Sequence, residues 1–469
     1  MDEVVVLLSR IQFAITNIFH YFYPPFSIGL GIFLVITEGL YLKTKNLIWL
    51  QITRYWTRIF ALTFTIGVAT GIPMEFQFGT NWANYSRYVG DVFGSALAAE
   101  GIFAFFLESG FLAIVLFGSG KVSAKFHYFA TIMVCLGAHF SAIWIVVANA
   151  WMQTPAGFQV VTGPNGIRAE IIDFWAMVFN PSSMIRLTHV IMGCWLAGMF
   201  LVLSVSAWYI LKKKNIEFAE ASMKVALIVA TIISLGQLFY SGHRSSLIVH
   251  EYQPSKFAAI EGHWKSGTPG DMTIFGYIDE KNGQTKGLKI PGLTSFLIDN
   301  DFNKPLKGLD SIPVENRPPL QMTFQSYHIM ISIGVFLILL TLTSCFLWWR
   351  KKLFSTKFVL WIFVFSVFLP VIANTAGWIT AEVGRQPWIV WELMRTAEGV
   401  SPNLSQSQLY FSNILFFLLY SALFTVFVYV LNGKIKHGPE EVQHMDIKKP
   451  LIQLPERIRD LLKSKFHKD

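Results

Sequence analysis

The stretch Leu187–Leu211, LTHVIMGCWLAGMFLVLSVSAWYIL, decides the fold. It contains no Asp, Glu, Lys or Arg, and as an α-helix it is long enough to cross about 30 Å of hydrocarbon. Lipid offers no hydrogen-bond partners, so a segment this long and this apolar must satisfy its backbone internally, as only a helix does. The stretch therefore predicts a transmembrane helix, with His189 near its start.

Eight further apolar runs accompany this stretch along the chain. The protein has 469 residues, of which 53% are hydrophobic and only 14% charged, whereas a soluble domain carries about 25% charged residues. The further runs are Ile11–Tyr41, Ile59–Phe76, Ile102–Gly118, Phe126–Ala150, Val225–Tyr240, Phe324–Trp349, Phe358–Thr380 and Tyr410–Leu431. We therefore predict an all-α polytopic membrane protein, a bundle of about nine transmembrane helices.

Basic residues are concentrated in alternate connections between the runs. They include Lys43, Lys45, Lys121, Lys125, Lys212–Lys214, Arg350–Lys352 and the tail after Gly433. Positive charge marks the cytoplasmic side of a membrane protein, so we predict an outside N-terminus and a cytoplasmic C-terminus. The net charge of +9 then reflects topology and some affinity for anionic lipid, and does not indicate a nucleic-acid partner.

The spacing of the runs divides the chain into four regions. Residues 1–244 hold six predicted spans, and residues 323–432 hold three. Between them lies a polar interruption, 245–322, which the topology places outside the cell and whose length is typical of functional loops. The basic tail, 433–469, is expected to be cytoplasmic, and its pattern at Glu456–Lys468 favours a short surface helix.

Five ligand-type side chains lie in or beside the apolar runs and are all expected in the outer half of the membrane. They are His20, Glu100, His189, Met330 and Glu382. Hydrocarbon penalises such groups unless they have a partner or a function. Axial ligation of haem iron suits imidazole, thioether and carboxylate groups together. The set therefore favours a membrane redox enzyme over a transporter.

Each of these residues also has an ordinary structural interpretation. A single histidine in a span is often a hydrogen-bonded core residue, as we expect for His139, and a methionine in an apolar helix is usually packing. Glu382 and Arg385 are close enough in sequence to form a simple ion pair at a helix end. From the residues alone, these alternatives stay open.

Glu100 and Glu108 suit a different function from metal ligation. They lie two helical turns apart, about 12 Å along one axis. Burial disfavours the charged form of a carboxyl group, which lets such a group take up and release protons. The spacing indicates a proton relay, with hydrogen-bonded packing as the alternative.

Several motifs resemble subunit I of the cytochrome bd quinol oxidases, over essentially the whole chain. The most specific are the strings ANAWMQ at 148–153 and EVGRQPW at 382–388. Further matching positions are SRIQF at 9–13 followed by His20, AEG at 99–101 with Glu108, His189, Lys256, Glu261, and Gly377-Trp378. The interruption at 245–322 is short for this family, so the chain resembles its short-loop subclass.

This resemblance implies a haem enzyme and a ligand set. His189 and Met330 would be the two axial ligands of a low-spin haem b, and His20 and Glu382 would each ligate one of two high-spin haems. Arg10 and Arg385 would belong to the cofactor sites. The cofactors implied are two haem b and one haem d, with a third haem b replacing haem d in some members.

The resemblance also implies the reaction and its partners. Quinol, either menaquinol or ubiquinol, would bind at Lys256 and Glu261 in the outer loop, and O2 would be reduced to water near Glu100. Glu108 would lie on a cytoplasmic proton path, and no proton would be pumped. The implied setting is a bacterial or archaeal cytoplasmic membrane, beside a second large subunit and in some members a one-span small subunit.

One position departs from the family pattern. His328 stands where many members have an arginine two residues before the methionine ligand, so His328 is a rival ligand to Met330. The two residues are about 200° apart on one helix, so only one can face a haem. Other classes remain as alternatives: a transporter or channel without haem, a haem-copper oxidase subunit, for which the spans hold too few histidines, and a shorter haem b anchor.

Overall fold

The computed structural model describes residues 2–102, 106–164 and 166–441. In these residues most of the chain is α-helical. They are α1 Glu3–Tyr21, α2 Pro24–Thr44, α3 Leu47–Thr80, α4 Ala83–Tyr88, α5 Gly90–Glu100, α6 Phe106–Phe117, α7 Ala124–Gln153, α8 Phe174–Val178, α9 Ser183–Leu211, α10 Ile216–Gly236, α11 His243–Tyr252, α12 Pro254–Glu261, α13 Leu293–Asp299, α14 Leu320–Trp349, α15 Lys357–Ser366, α16 Phe368–Val383, α17 Thr396–Gly399 and α18 Gln406–His437.

Short strands occur only in the connections of this described part. They are β1 Phe158–Gly163, β2 Gly166–Ile171, β3 Thr268–Pro269, β4 Met272–Asp279, β5 Gln284–Ile290, β6 Pro305–Leu306, β7 Trp388–Val390 and β8 Met394–Arg395. They form four antiparallel pairs, β1–β2, β3–β6, β4–β5 and β7–β8. No strand in the described residues belongs to a larger sheet, so the prediction of an all-α membrane protein is confirmed.

Among the described residues, seven helical stretches are long and apolar enough to cross a membrane, and α15 with α16 makes an eighth if that bent pair is one span. The ninth predicted run, Ile102–Gly118, includes residues 103–105, which lie outside the described ones. Its described remainder, α6, is a shorter apolar helix. The count of nine spans and the orientation of the chain therefore remain predictions.

Several spans begin several residues before the apolar runs, because polar residues cap them. Ser123 accepts a hydrogen bond from the backbone N–H of Phe126 at the start of α7. Ser405 and Gln408 form a reciprocal capping box at the start of α18, an arrangement that satisfies two otherwise unpaired N–H groups. Hydropathy alone does not register these first turns.

The most enclosed span is α9, and glycine makes its central contact possible. A Cβ atom on Gly29 of α2 would lie 2.6 Å from the carbonyl oxygen of Cys194, and one on Gly198 would lie 2.5 Å from the Gly29 backbone. Two side-chain-free positions therefore let α2 and α9 touch through their backbones, as small residues do at membrane helix contacts. This contact places α9 at the centre of the bundle.

The segment between α11 and α14 is folded against the bundle. The helix that begins with α10 continues past residue 244 to Tyr252, and α12 and the β4–β5 hairpin follow it. Ala258, Ala259 and Ile278 of this segment pack against Phe324, near the start of α14. The polar interruption therefore supplies side chains to the ends of the spans. The predicted surface helix at Glu456–Lys468 lies outside the described residues.

Candidate functional site

The carboxylate of Glu382 lies near the end of α16 and is held by three side chains. Its Oε1 accepts hydrogen bonds from Asn149 Nδ2 at 3.0 Å and from Gln153 Nε2 at 3.2 Å. Its Oε2 accepts one from Arg385 Nη2 at 2.5 Å. The Glu382 side chain still keeps 33% of its surface open, whereas that of Arg385 keeps 3%. One part of this carboxylate is therefore fixed, and another part stays accessible.

Two guanidinium groups near this carboxylate, those of the buried Arg385 and the partly buried Arg186, have unused donors. Arg186 Nη2 donates to Asn149 Oδ1 at 2.6 Å, which joins Arg186 to the Glu382 cluster. Within the described residues, Arg186 Nε and Arg385 Nη1 have no hydrogen-bond partner although both atoms are buried. Buried charged donors without partners are costly. The unpaired donors of Arg186 and Arg385 could therefore bind a further anionic group.

Lys256 of α12 joins the same cluster through a glutamine. Its Nζ donates to Gln153 Oε1 at 2.5 Å and to Gln253 Oε1 at 2.7 Å. Lys256 is only 2% exposed, and burial, with the nearby Arg186 and Arg385, holds the pKa of its amine well below the usual range. Gln153 thus links the loop lysine on one side to Glu382 on the other.

Glu261, at the end of α12, has a separate set of partners. Its Oε1 accepts a hydrogen bond from the hydroxyl of Tyr327 at 3.0 Å, and its Oε2 accepts one from the hydroxyl of Thr294 at 3.0 Å. Burial raises the pKa of the Glu261 carboxyl, and these two hydrogen bonds offset part of that rise. Glu261 is therefore easier to protonate than an exposed glutamate.

His20, near the end of α1, is held by one hydroxyl. Its Nδ1 lies 3.1 Å from Thr70 Oγ1 on α3. That hydroxyl donates within its own helix, to the carbonyls of Ile66 at 2.9 Å and Gly67 at 3.0 Å. Its oxygen is then free to accept from Nδ1–H, which leaves Nε2 as the basic nitrogen of a neutral imidazole.

His189, in α9, shows the same arrangement. Its Nδ1 lies 3.2 Å from Ser241 Oγ, and the serine hydroxyl has acceptors of its own on Gln237 at 3.1 and 3.3 Å. The hydrogen bonds of the described residues do not engage Nε2 of either His20 or His189. Both imidazoles therefore keep one open nitrogen.

The other histidines in or beside the spans differ. His139 Nδ1 lies 2.7 Å from the carbonyl of Cys135, and its Nε2 accepts from Trp195 Nε1 at 2.8 Å. His127 likewise has both ring nitrogens in contact, with the Glu38 carboxylate and the carbonyl of Val115. His139 and His127 are therefore satisfied packing residues in this structure.

His328 and His243 also differ from the two open imidazoles. His328 Nδ1 lies 2.8 Å from the carbonyl of Phe324, and its Nε2 lies 2.7 Å from the carbonyl of Thr273 in β4. The imidazole of His243 makes no hydrogen bond within the described part of the chain. The pattern of a hydroxyl at Nδ1 with Nε2 open belongs to His20 and His189.

Met330 lies in α14 against a glycine of α16. A Cβ atom on Gly377 would lie 2.9 Å from Met330 Sδ, so any larger residue at 377 would press on the sulfur. Among the described residues, no hydrogen bond or ring contact joins Met330 to His189. The structure thus places the Met330 sulfur against Gly377, with no direct hydrogen bond or ring contact to His189 in the described residues.

Glu100 and Glu108 have few partners. Glu100 Oε1 accepts a hydrogen bond from Ser141 Oγ of α7 at 2.5 Å, and Glu108 makes none within the described residues. The two carboxyls stand on either side of residues 103–105, at the end of α5 and the start of α6. They are therefore much less constrained than Glu382.

Arg10 lies apart from the Glu382 hydrogen-bond network in the described residues. With Arg317 and Arg395 it lines a cavity of about 510 Å³. Arg395 lies over the ring of Trp388, with its guanidinium carbon 4.8 Å from the ring centre. The same cavity is lined by Gln386 and Pro387, which directly follow Arg385 in the sequence.

The sequence analysis assigned no role to five partner residues of this site, although two of them, Asn149 and Gln153, lie in the string ANAWMQ at 148–153. The five are Thr70, Asn149, Gln153, Arg186 and Ser241. Some signal was available. Asn149 and Gln153 are four residues apart on one helix and so share a face, and Arg186 lies one turn before His189. Thr70 and Ser241 carry no such signal, because their partners come from helices distant in sequence.

These features together define a class of protein. It is a polytopic α-helical membrane protein with two open imidazoles and a cluster of cationic side chains around a single carboxylate. Side chains of these types inside a membrane are typical of a protein that binds a redox cofactor.

Comparisons with known proteins identify the family. The family model for cytochrome bd terminal oxidase subunit I matches residues 8–439. Cytochrome bd ubiquinol oxidase subunit 1 of Bacillus subtilis (strain 168) is 41% identical over 458 residues, which cover 95% of this chain and 96% of that protein. Cytochrome bd-II ubiquinol oxidase subunit 1 of Escherichia coli (strain K12) is 32% identical, with 94% of this chain and 98% of that protein covered.

A solved structure agrees with these relatives. A chain of the bd oxidase from Geobacillus thermodenitrificans superposes with a TM-score of 0.85 at 31% identity, covering 93% of this chain and 99% of its own. The protein belongs to the cytochrome bd terminal oxidase subunit I family.

Proposed function

We propose a division of roles among the residues of this chain, which is the haem-containing subunit I of a terminal quinol oxidase, a quinol:oxygen oxidoreductase of the bacterial cytoplasmic membrane. Three groups of residues serve different tasks in the proposal. One group holds the haems, one binds quinol, and one delivers protons. The observation that carries the proposal is the pair of open imidazoles, together with the unpaired buried donors of Arg186 and Arg385.

The residues fit a haem in two respects. Iron ligation uses the lone pair of a neutral imidazole nitrogen, and His20 and His189 each have Nε2 free while Nδ1 faces a hydroxyl. Haem also carries carboxylate groups, and the unpaired N–H groups of Arg186 and Arg385 are suitable donors for carboxylates. A haem would therefore relieve the charge excess that the protein alone leaves.

His189 and Met330 are the residues proposed to hold the iron of the low-spin haem b. The rival residue, His328, has both ring nitrogens within hydrogen-bond distance of backbone carbonyls. Both ring nitrogens of His328 are therefore occupied by the backbone, which leaves neither free for an iron. Met330 remains the proposed ligand.

His20 and Glu382 are the proposed single ligands of the two high-spin haems. Glu382 suits this role because its fixed oxygens orient it while a third of its side-chain surface stays open. Arg10 and Arg385 are proposed to hold cofactor carboxylates. The proposed composition is two haem b and one haem d, or a third haem b in place of haem d. When bound, the haems supply the electron transfer and the oxygen chemistry.

Lys256 and Glu261 are proposed to bind quinol in the outer loop. Lys256 presents an amine of lowered pKa, and Glu261 a carboxyl of raised pKa. An amine and a carboxylate suit the two hydroxyl groups of a quinol as hydrogen-bond partners. In the proposal, Glu261 accepts a proton from the bound quinol and passes it to the outer side.

Glu108 and Glu100 are proposed to deliver protons to the oxygen site from the cytoplasm. Few hydrogen bonds hold them in one protonation state, and Ser141 is the single described donor to Glu100. Consuming cytoplasmic protons while releasing quinol protons outside builds a gradient without pumping. This direction rests on the orientation predicted from basic residues.

The proposed partners are lipid, a second large subunit and, in some assemblies, a one-span small subunit. The support is the exposure of two apolar helices. Only 11% of the most apolar part of α18 is buried, and 22% of the most apolar part of the stretch that contains α14. We retain the proposed regions: the membrane parts 1–244 and 323–432, the quinol-binding loop 245–322 and the cytoplasmic tail 433–469.

Oxygen consumption by the purified complex tests the function. Menaquinol and ubiquinol are each supplied to the detergent-solubilised assembly, and a dithionite-reduced minus oxidised spectrum is recorded. The proposal predicts quinol-dependent oxygen uptake and the absorption bands of haem b. Absorption in the spectral region of haem d decides whether the third haem is haem d or haem b. A colourless complex with no quinol-dependent uptake would instead support a transporter or channel.

A further inference from the structure

The connection between α10 and α11 is an unusual helical turn. Residues Gln237–Gly242 form a π-helix within the otherwise α-helical stretch from Ile216 to Tyr252. Such a turn contains one more residue than an α-helical turn and is frequent at functional sites. The extra residue rotates the following side chains by about 100° relative to an uninterrupted helix. Ser241, inside this turn, is the residue that faces His189.

Hydrogen bonds around Ser241 have only one consistent direction. Gln237 Nε2 donates to the backbone carbonyl of His189 at 3.1 Å, which fixes the amide so that its Oε1 is an acceptor. The Ser241 hydroxyl lies 3.1 Å from that Oε1 and 3.3 Å from the Gln237 carbonyl, so its proton goes to Gln237. The Ser241 oxygen must then accept from Nδ1–H of His189, at 3.2 Å.

We infer that Ser241 and Gln237 are positioning residues that fix the tautomer and ring orientation of His189 as a haem ligand. The inference rests on the proposed function, in which His189 ligates the low-spin haem. An acceptor at Nδ1–H makes the imidazole a stronger electron donor through Nε2 and orients its ring. Stronger donation stabilises oxidised iron, so Ser241 and Gln237 keep the reduction potential of that haem lower than it would otherwise be.

A comparison with His20 shows that the support by a glutamine side chain is particular to His189. The Thr70 hydroxyl that faces His20 donates only to backbone carbonyls of its own α-helix. The Ser241 hydroxyl has the Gln237 side chain as an acceptor in addition to the Gln237 backbone carbonyl, and that side chain also holds the His189 backbone. A substitution at position 237 therefore weakens the orientation of the Ser241 hydroxyl and removes a hydrogen bond to the His189 backbone. None of the described side chains plays this part for Thr70.

Potentiometric titration of the low-spin haem in the full complex tests the inference. Ser241→Ala should retain the haem, shift its reduction potential to a more positive value and change its low-spin electron paramagnetic resonance signal. Gln237→Met, which keeps the side-chain size, should shift the potential in the same direction by less. Ser241→Thr restores a hydroxyl and should return both readings toward wild type.

Ser245→Ala is the matched control. Ser245 lies one turn further along, and its hydroxyl donates only to the backbone carbonyl of Ser241 at 2.7 Å. Its removal should leave potential and spectrum at wild-type values. If Ser241→Ala and Gln237→Met both match this control, the inference is overturned.

His189→Ala separates this outcome from a failure of the proposed function. It should abolish the low-spin haem b spectrum. If that spectrum survives, His189 is not the ligand and the proposed function loses this assignment. If it disappears while the Ser241 and Gln237 variants match the control, the ligand stands and only the positioning role falls.

Discussion

Two kinds of carboxyl group lie in this membrane protein, and their surroundings differ sharply. Glu382 receives hydrogen bonds from Asn149, Gln153 and Arg385. Glu100 receives one, from Ser141, and Glu108 receives none in the described part of the chain. A carboxylate surrounded by donors and cations is held charged and in one place, as a ligand must be. A carboxyl with few partners can gain and lose a proton, as a relay must.

Glu382→Gln should have the largest effect. The substitution keeps the size of the side chain but removes the negative charge beside Arg385, and a hydrogen bond to a charged group is worth about 1.5–3 kcal/mol. We expect the complex to contain one haem fewer per chain and to lose oxygen reduction. A pyridine haemochrome assay measures the haem ratio, and Glu392→Gln, at an exposed position, is the control. An unchanged ratio would remove Glu382 from the ligand set.

Glu108→Gln should have the next largest effect, on turnover alone. Glutamine cannot carry a proton, and loss of a positioned proton carrier typically costs about 100-fold in rate. We expect oxygen consumption to fall by about that factor while the haem spectrum stays intact. Glu382→Gln, in contrast, should lose haem as well as oxygen consumption. Glu217→Gln, in the first turn of α10, provides the control. Full oxygen consumption in Glu108→Gln would contradict the relay.

Lys256→Ala and Glu261→Gln should change quinol binding by a smaller amount. We expect the Michaelis constant for quinol to rise about tenfold in each, the equivalent of one charged hydrogen bond. Glu251→Gln, exposed at the end of α11, should leave it unchanged. A Michaelis constant untouched by both substitutions would exclude this part of the loop from the substrate site.

The pH dependence of quinol oxidation tests Glu261 in a second way. Burial raises its pKa, so the charged form that accepts a proton appears only above the ordinary range of about 4.3. Turnover should therefore rise as pH increases through that raised pKa. In Glu261→Gln the rise should disappear, and a profile identical to wild type would argue against a proton-accepting role.

Ser141→Ala should have the smallest effect. It removes the one described hydrogen bond to Glu100, worth about 1 kcal/mol, or a factor of about five. We expect a several-fold decrease in oxygen consumption with unchanged haem content, because Glu100 is then less well oriented. A decrease as large as that of Glu108→Gln would show that Ser141 itself carries protons.

Much of the fold could be predicted from hydropathy, because a span must hide its backbone from lipid. The apolar run Leu187–Leu211 is almost the whole of α9, Ser183–Leu211. The π-helical turn at Gln237–Gly242 could not be predicted, since its residues are compatible with an ordinary helix. The β4–β5 hairpin was missed for a different reason: it packs on the start of α14 through contacts distant in sequence.

The site could be predicted in its principal residues and not in their partners. Glu382 and Arg385 do form the ion pair that their spacing allowed. Gln153 joins Glu382 to Lys256 only because three chain segments meet. No local sequence pattern predicts such a meeting. The contact of His328 Nε2 with the carbonyl of Thr273 in the hairpin also needed coordinates. It supports the proposal that Met330, and not His328, is the ligand.

The iron content of the purified wild-type assembly tests the central claim most directly. The account holds that side chains from separate helices of this chain bind haem iron. It predicts about three irons per copy of the chain, all extractable as haem. A gently isolated assembly with its companion subunits that contains less than about one iron per chain, and no visible absorption, would contradict it.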